Sequence, residues 1–322
     1  MKRVKSFFKS MGQLFMAAGK GFMEDNVTKL SASLAYYTIF ALTPLLLIII
    51  ASASLFFGDK LNPGNELFEQ INNYIGEAAT RQLQSFVVNA NLSGKSTFGL
   101  LVGIGTLVIG STAIFIEIQD SINLIWEVKA IPKKGWLKML VNRLLSFSLI
   151  VSLGFLLLVS LVVNSVIVAL GNEISKYIPE VSTLMMNLAT RGVTLAVVTC
   201  IFAIIFKVLP DVIIKWKSAL IGALFTAILF IIGQALIGIY IQKGNPGSAF
   251  GAAGSIIIIL LWIYYSAMIL YFGAEFTQAY VEKYDGGMVP SKYAVHTKIV
   301  TIEKEVKVLP PQHPEETKAS TD

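Results

Sequence analysis

Residues 30–58 read LSASLAYYTIFALTPLLLIIIASASLFFG, an unbroken uncharged run held between Lys29 and Asp59. A helix rises about 1.5 Å per residue, so about 20 residues cross the ~30 Å hydrocarbon layer of a bilayer. The run exceeds that length. No small-residue cleavage site of the secretory type accompanies it, so it is expected to remain as a membrane anchor. Inside lipid the backbone must satisfy its own hydrogen bonds, which makes a helix the expected form.

The same punctuation by charge recurs along the chain. Uncharged runs occupy 96–116, 144–172, 218–242 and 244–274, each long enough to span. The run 192–206, between Arg191 and Lys207, is short. Extended back to Ser182 it reaches spanning length, with Arg191 placed to snorkel its long stem toward one face. The expected fold is therefore all-α, a polytopic membrane bundle of six transmembrane helices with short amphipathic interfacial helices. Composition agrees: 55% of the 322 residues are hydrophobic and 14% charged, against roughly 25% charged in soluble domains. Mean hydropathy is +0.69. A soluble chain of this make-up would expose large apolar patches, which soluble proteins avoid.

Lys and Arg set the expected orientation. Twenty of the 26 fall in segments 1–29, 126–143, 207–217 and 283–322, and the rest in 59–96, 171–191 and at Lys243. The positive-inside rule then places both termini in the cytoplasm of a bacterial plasma (inner) membrane. The net charge of +6 is accounted for as a topology signal, and no nucleic-acid partner is expected.

Three regions lie outside the expected spans. In the cytoplasmic segment 1–29, Val4, Phe7, Phe8, Met11, Leu14, Phe15, Ala18 and Phe22 recur at helical spacing. That pattern predicts an amphipathic helix, either on the inner leaflet or docked on the bundle. The periplasmic loop 59–96 carries two apolar sets at helix period, predicting two short capping helices. The transmembrane domain covers 30–283, and 284–322 is expected to be a disordered cytoplasmic tail because of its polar, Pro-containing composition.

Polar residues inside the spans are expensive and mark packed or functional faces. In the first helix Tyr36 and Thr43 share a face with Lys29 and Ser33. In the second, Gln119 and Asn123 align, with Asp120 beside them and Glu117 further round. In the sixth, Tyr264, Tyr271, Glu275 and Gln278 fall in a narrow arc. Arg143 enters the third helix at the depth of Glu117 and Glu275, and an Arg143–Glu275 ion pair is expected. Tyr36, Thr43, Glu117, Gln119, Asp120, Asn123, Arg143, Tyr271, Glu275 and Gln278 thus form a predicted polar vestibule open to the cytoplasm. The plainer alternative is interfacial solvation and contacts between helices.

Catalytic chemistry is not indicated. Cys200 is the single cysteine, and His296 and His313 both lie in the tail. No spacing suits a metal, and no cofactor is expected. The glycine-rich stretch GNPGSAFGAAGS (244–255) lacks the GK[ST] ending of a phosphate loop. Gly99 with Gly103, and Ser218 with Gly222, are small-residue pairs suited to close helix packing.

Three stretches together resemble the YihY/BrkB family of bacterial inner-membrane proteins: LSASLAYYTIFALTPLLLIII (30–50), FIEIQDSINLIW (115–126) and GAAGSIIIILLWIYYSAMILYFGAEFTQAY (251–280). The resemblance extends over roughly 10–283 and implies a six-helix inner-membrane protein. An older label of the family, ribonuclease BN, finds no support in the residues. RNA hydrolysis wants a metal-binding cluster or a solvent-exposed acid–base pair, and the chain offers Glu117 and Asp120 at a membrane face. No enzymatic activity is expected. The expected function is a transporter or export factor for a lipid or envelope precursor, with membrane lipids as partners. A non-transporting membrane scaffold or assembly protein, and an ion or small-solute channel, are the alternatives; homo-oligomers are compatible with either.

Overall fold

The computed structural model describes residues 2–40, 113–131, 179–244, 250 and 254–298, with helical positions 72, 77, 80, 81 and 84 in the loop 59–96. Helix α1 (Lys2–Glu24) is followed by α2 (27–40) and α3 (113–125). Strand β1 (Val128–Ala130) precedes α4 (Pro179–Val208), β2 (Val212–Ile213), α5 (Trp216–Gly244) and α6 (Gly254–Asp285). Strands β3 (Val289–Pro290) and β4 (Ala294–His296) follow.

Among the described residues, three helices are long and apolar enough to cross a membrane: Leu188–Val208, Trp216–Gly244 and Ile256–Asp285. They correspond to the fourth, fifth and sixth expected spans. The fourth starts upstream of Arg191, as its length requires, and Arg191 is exposed. The third expected span and most of the first two lie outside the described residues.

Helices α5 and α6 show how two helices apolar on every side select a contact face. Lipid tails are as apolar as leucine, so hydrophobicity cannot decide; close packing of small residues can. On α5 the face turned inward carries Ser218, Ala219, Gly222, Ala223, Thr226 and Ala227, all buried. Its opposite face exposes Trp216, Leu220, Leu224, Ile228, Ile232 and Leu236, one per turn.

At the crossing, GALFT (222–226) on α5 meets GAEFT (273–277) on α6. A Cβ on Gly222 would stand 2.0 Å from Thr277 Oγ1, and one on Gly273 would stand 2.0 Å from Thr226 Oγ1. Each threonine occupies the space left by the other helix's glycine. Each hydroxyl donates to the carbonyl of the glycine four residues back in its own helix, at 2.7 Å. Neither threonine hydrogen is thereby left unpaired in the seam. Phe225 and Phe276 stack beside it at 3.8 Å.

Helix α1 does not lie free on a leaflet. It runs antiparallel along the last turns of α6, with Leu14 and Ala18 buried against Phe276. Lys283 Nζ donates to Gln13 Oε1 at 2.9 Å, and Ser10 and Tyr284 share a hydroxyl hydrogen bond. The chain leaves α1 through Asn26, whose φ of 52° is a left-handed conformation that asparagine tolerates better than most residues.

The expectation of a disordered tail from residue 284 is corrected over its first part. Helix α6 runs to Asp285, and Gly286 and Gly287 turn the chain with φ of 83° and 108°, values that favour glycine. The following segment crosses the end of the bundle. Val289 and Pro290 pair with β2, and residues 294–296 pair antiparallel with β1. Ser291 N donates to Asp211 O at 2.9 Å and Ile131 N to Tyr293 O at 2.7 Å. Short strand-forming stretches, MVP and YAVH, sit inside a polar composition that averages them away. Residues 299–322 lie outside the described residues.

Candidate functional site: a carboxyl cluster at the polar end of the bundle

The ends of α1, α3 and α6, the 209–215 link and the 286–298 segment gather at one end of the bundle. Polar side chains concentrate there because helix ends leave carbonyl and amide groups to be satisfied. Two arrangements stand out.

The first is built on Asp211, in the link after α4. Its Oδ2 accepts from Asn123 Nδ2 at 2.9 Å and from Gln119 Nε2 at 3.0 Å. Its own N–H donates to Asn123 Oδ1 at 2.8 Å. Asn123 is buried, so an amide and a carboxylate that would each be costly alone satisfy one another. One turn on, Trp126 Nε1 donates to Ala274 O at 3.0 Å and ties α3 to α6.

The second is built on Glu275, only 3% exposed. In the GA-x-FT pair it takes the place that Leu224 has on α5. Leu224 is exposed, whereas Glu275 turns toward α1. A Cβ on Gly21 would stand 2.0 Å from Glu275 Oε2, so α1 can approach only because residue 21 has no side chain. Asp25, in the turn after α1, meets the Glu275 carboxyl within hydrogen-bonding range. Among the described residues Glu275 Oε1 has no hydrogen-bond partner. Burial pushes the Asp25 carboxyl above its ordinary range, the Glu275 hydrogen bond opposes that shift, and Glu127 and Glu24 add to it.

Positive charge is held at the margin. Lys298 Nζ and His296 Nε2 lie 3.5 and 3.7 Å from Glu127, and Lys20 lies 3.5 Å from Glu24. Lys215 pairs with Asp285 at 2.8 Å, and Ser218 donates to the other Asp285 oxygen. Among the described residues no group of three or more His, Cys, Asp or Glu is arranged to hold a metal ion.

The ten residues expected from sequence to form a vestibule are distributed as follows. Gln119 and Asn123 converge on Asp211. Tyr271 is fully buried, its hydroxyl beside Ser121 but without a hydrogen bond of good geometry. Glu275 faces Asp25 and Gly21. Glu117 and Gln278 are half-buried, and Asp120 is exposed. Tyr36 is 59% exposed on α2, with Tyr37 and Phe40 edge-on at 5.7 and 5.0 Å. Thr43 and Arg143 lie outside the described residues, and with Arg143 the expected ion pair to Glu275.

Asp25, Gly21, Asp211 and Trp126 were not anticipated. The one sequence signal available was the recurrence of GA-x-FT with glutamate in only one copy, which marks Glu275 as the position where the two helices must differ.

A family model described as virulence factor BrkB matches residues 18–294. A UPF0761 membrane protein of Pseudomonas paraeruginosa is 30% identical over 265 residues, 79% of this chain and 59% of that one. UPF0761 membrane proteins of Alteromonas mediterranea and Pseudoalteromonas translucida are 25% and 28% identical, over 88% and 86% of this chain and 95% and 88% of theirs. The chain thus spans about three fifths of the Pseudomonas relative's length. No solved structure matches.

Proposed function

Because the chain belongs to the BrkB family of integral membrane proteins, we propose that it is a transporter or export factor of the bacterial inner membrane, acting on a lipid or envelope precursor. The observation that carries this reading is the exposed aromatic run Tyr36, Tyr37 and Phe40 on α2. It begins about 14 Å along α2 from the helix's first residue, which follows the turn that holds Asp25. Helices α2 and α3 share one core through Leu34, Ile118 and Ile122, and α3 carries the exposed Asp120 and half-buried Glu117. An amphiphile needs an apolar track for its tail and a polar rim for its head, and large apolar side chains with nearby polar groups are the usual lining of such sites.

The test is lipid and metabolite profiling of a deletion strain against strains complemented with the wild type and with Tyr36→Ala/Phe40→Ala. A lipid-linked precursor should accumulate in the deletion, disappear with the wild type and persist with the double variant at normal membrane levels. An unchanged lipid profile, or full correction by the double variant, would overturn the transport reading.

A scaffold role is the second reading, favoured by the Asp211–Asn123–Gln119 network. Those side chains spend their hydrogen bonds on one another, as residues of a rigid connector would.

A further inference from the structure

We propose that Asp25 and Glu275 share a single proton, and that this carboxyl pair is a protonation-dependent latch holding α1 against α6. The inference rests on the packing of the two helices and stands whether or not the protein moves a substrate.

The geometry is carried by Glu275. Only 3% of it is exposed, its Oε1 has no hydrogen-bond partner among the described residues, and its other oxygen is pressed against α1 at Gly21. Among the described residues, the group that meets it is the carboxyl of Asp25, whose backbone N–H donates to Gly21 O at 2.8 Å, one turn along from the glycine that Glu275 packs against. Ionised carboxylates are acceptors only, so two of them cannot form a hydrogen bond; one proton between them makes the contact attractive. Glu275 is buried and Asp25 half-buried, and two carboxylates brought together there cannot both ionise without a penalty.

The surroundings favour the proton further. From α1 the pair is faced by Glu24, from the turn after α3 by Glu127, and from α6 by Glu282. The cations described nearby are drawn to those outer acids: Lys20 to Glu24, and Lys298 and His296 to Glu127, with Lys298 also acting on Glu282. Burial moves Asp25 in the same direction. The sign follows. A carboxyl that binds its proton more tightly in the docked state favours docking at low pH, and that contribution is lost as pH rises through its docked-state pKa. Deprotonation would place two like charges together in a site where Gly21 leaves no spare room, so α1 would separate from the last turns of α6.

The test uses the full chain in lipid nanodiscs, with Cys200→Ser and spin labels at Met16 on α1 and Lys217 on α5, both exposed. Between about pH 5 and about pH 9 the interlabel distance distribution of the parent should pass from one narrow peak to a longer, broader one. Glu275→Gln and Asp25→Asn should each keep the narrow peak across the range, because an amide donates the missing hydrogen without titrating. A parent distribution that does not change with pH, or amide variants that broaden as the parent does, would overturn the proposal. Infrared spectroscopy supplies a readout that a merely structural role would not move. The carbonyl stretch of a protonated carboxylic acid should be present at neutral pH and be lost in both amide variants. Its absence from the parent would overturn the shared proton.

Discussion

Gly222 and Gly273 show that a hydrogen atom in place of a methyl group can set the distance between two helices. Each lies under the other helix's threonine, whose Oγ1 would be 2.0 Å from any Cβ placed there. Gly222→Ala must therefore push Thr277 or the helix itself, an overpacking expected to cost about 1 to 3 kcal/mol. Thr277→Ala removes Oγ1 and Cγ2, the atoms a new methyl would strike at 2.0 and 3.1 Å, although Thr277 Cβ at 2.9 Å remains. The double variant should recover part of the loss, with a coupling energy on the order of 1 kcal/mol in thermal unfolding in detergent. Strict additivity would show that the two residues do not meet. The sequence made Gly222 visible as part of a small-residue pair with Ser218, but not its true partner, because Thr277 is 55 positions away. Gln119 and Asn123, which share a face at 100° per residue, both turn to Asp211. What lay across from each face was not legible. Glu275 illustrates the reason: Asp25, which it meets, is 250 positions away and bears the same charge, so no rule of complementarity points to it.

At the scale of elements, the uncharged runs marked the described spans well. A segment in lipid has few alternatives to a helix, and charge bounds its length. The same logic fails outside the membrane, where short strands gain their stability from partners far along the chain. The 286–298 segment is such a case. It covers Val128 and Val212, which are buried, and it contributes the backbone bonds from Ser291 to Asp211 and from Thr297 to Glu127. Truncation after Gly287 should therefore expose those valines and leave the Asp211 and Glu127 carbonyls without these bonds, at roughly 0.5–1.5 kcal/mol per hydrogen bond lost. Truncation after Lys298 keeps every one of these contacts. Thermal stability in detergent and limited proteolysis should separate the two, the shorter chain melting lower and being cut near β1 or β2. Equal behaviour would mean that β3 and β4 add nothing to the bundle.

For the molecule as a whole, the question is which end faces the cytoplasm. Folding gathers Lys20, Lys29, Lys129, Lys207, Lys215, Lys217, Lys283, Lys292 and Lys298 around the end where α1, the 209–215 link and the 286–298 segment meet. Contacts tie that end together: Lys283 to Gln13, Lys215 to Asp285 and Lys298 to Glu127. The opposite ends of the described spans carry Arg191, near the start of Leu188–Val208, and Lys243, at the close of α5. The asymmetry counted along the sequence is thus an asymmetry in space. Positive residues beside the spans are held back on the side of synthesis, so the lysine-rich end is expected in the cytoplasm and the α5–α6 turn in the periplasm. Single cysteines at Lys243 and at Lys298, each in a Cys200→Ser background, test this with a membrane-impermeant thiol reagent applied to intact cells made permeable only at the outer membrane. Lys243→Cys should label from outside and Lys298→Cys only after the inner membrane is opened. Labelling of both from the same side would be incompatible with α6 crossing once between them, and the reverse pattern would invert the bundle. Inversion would have a consequence at the smallest scale as well, since it would move the Asp25–Glu275 pair from the buffered cytoplasm to the side whose pH follows the medium.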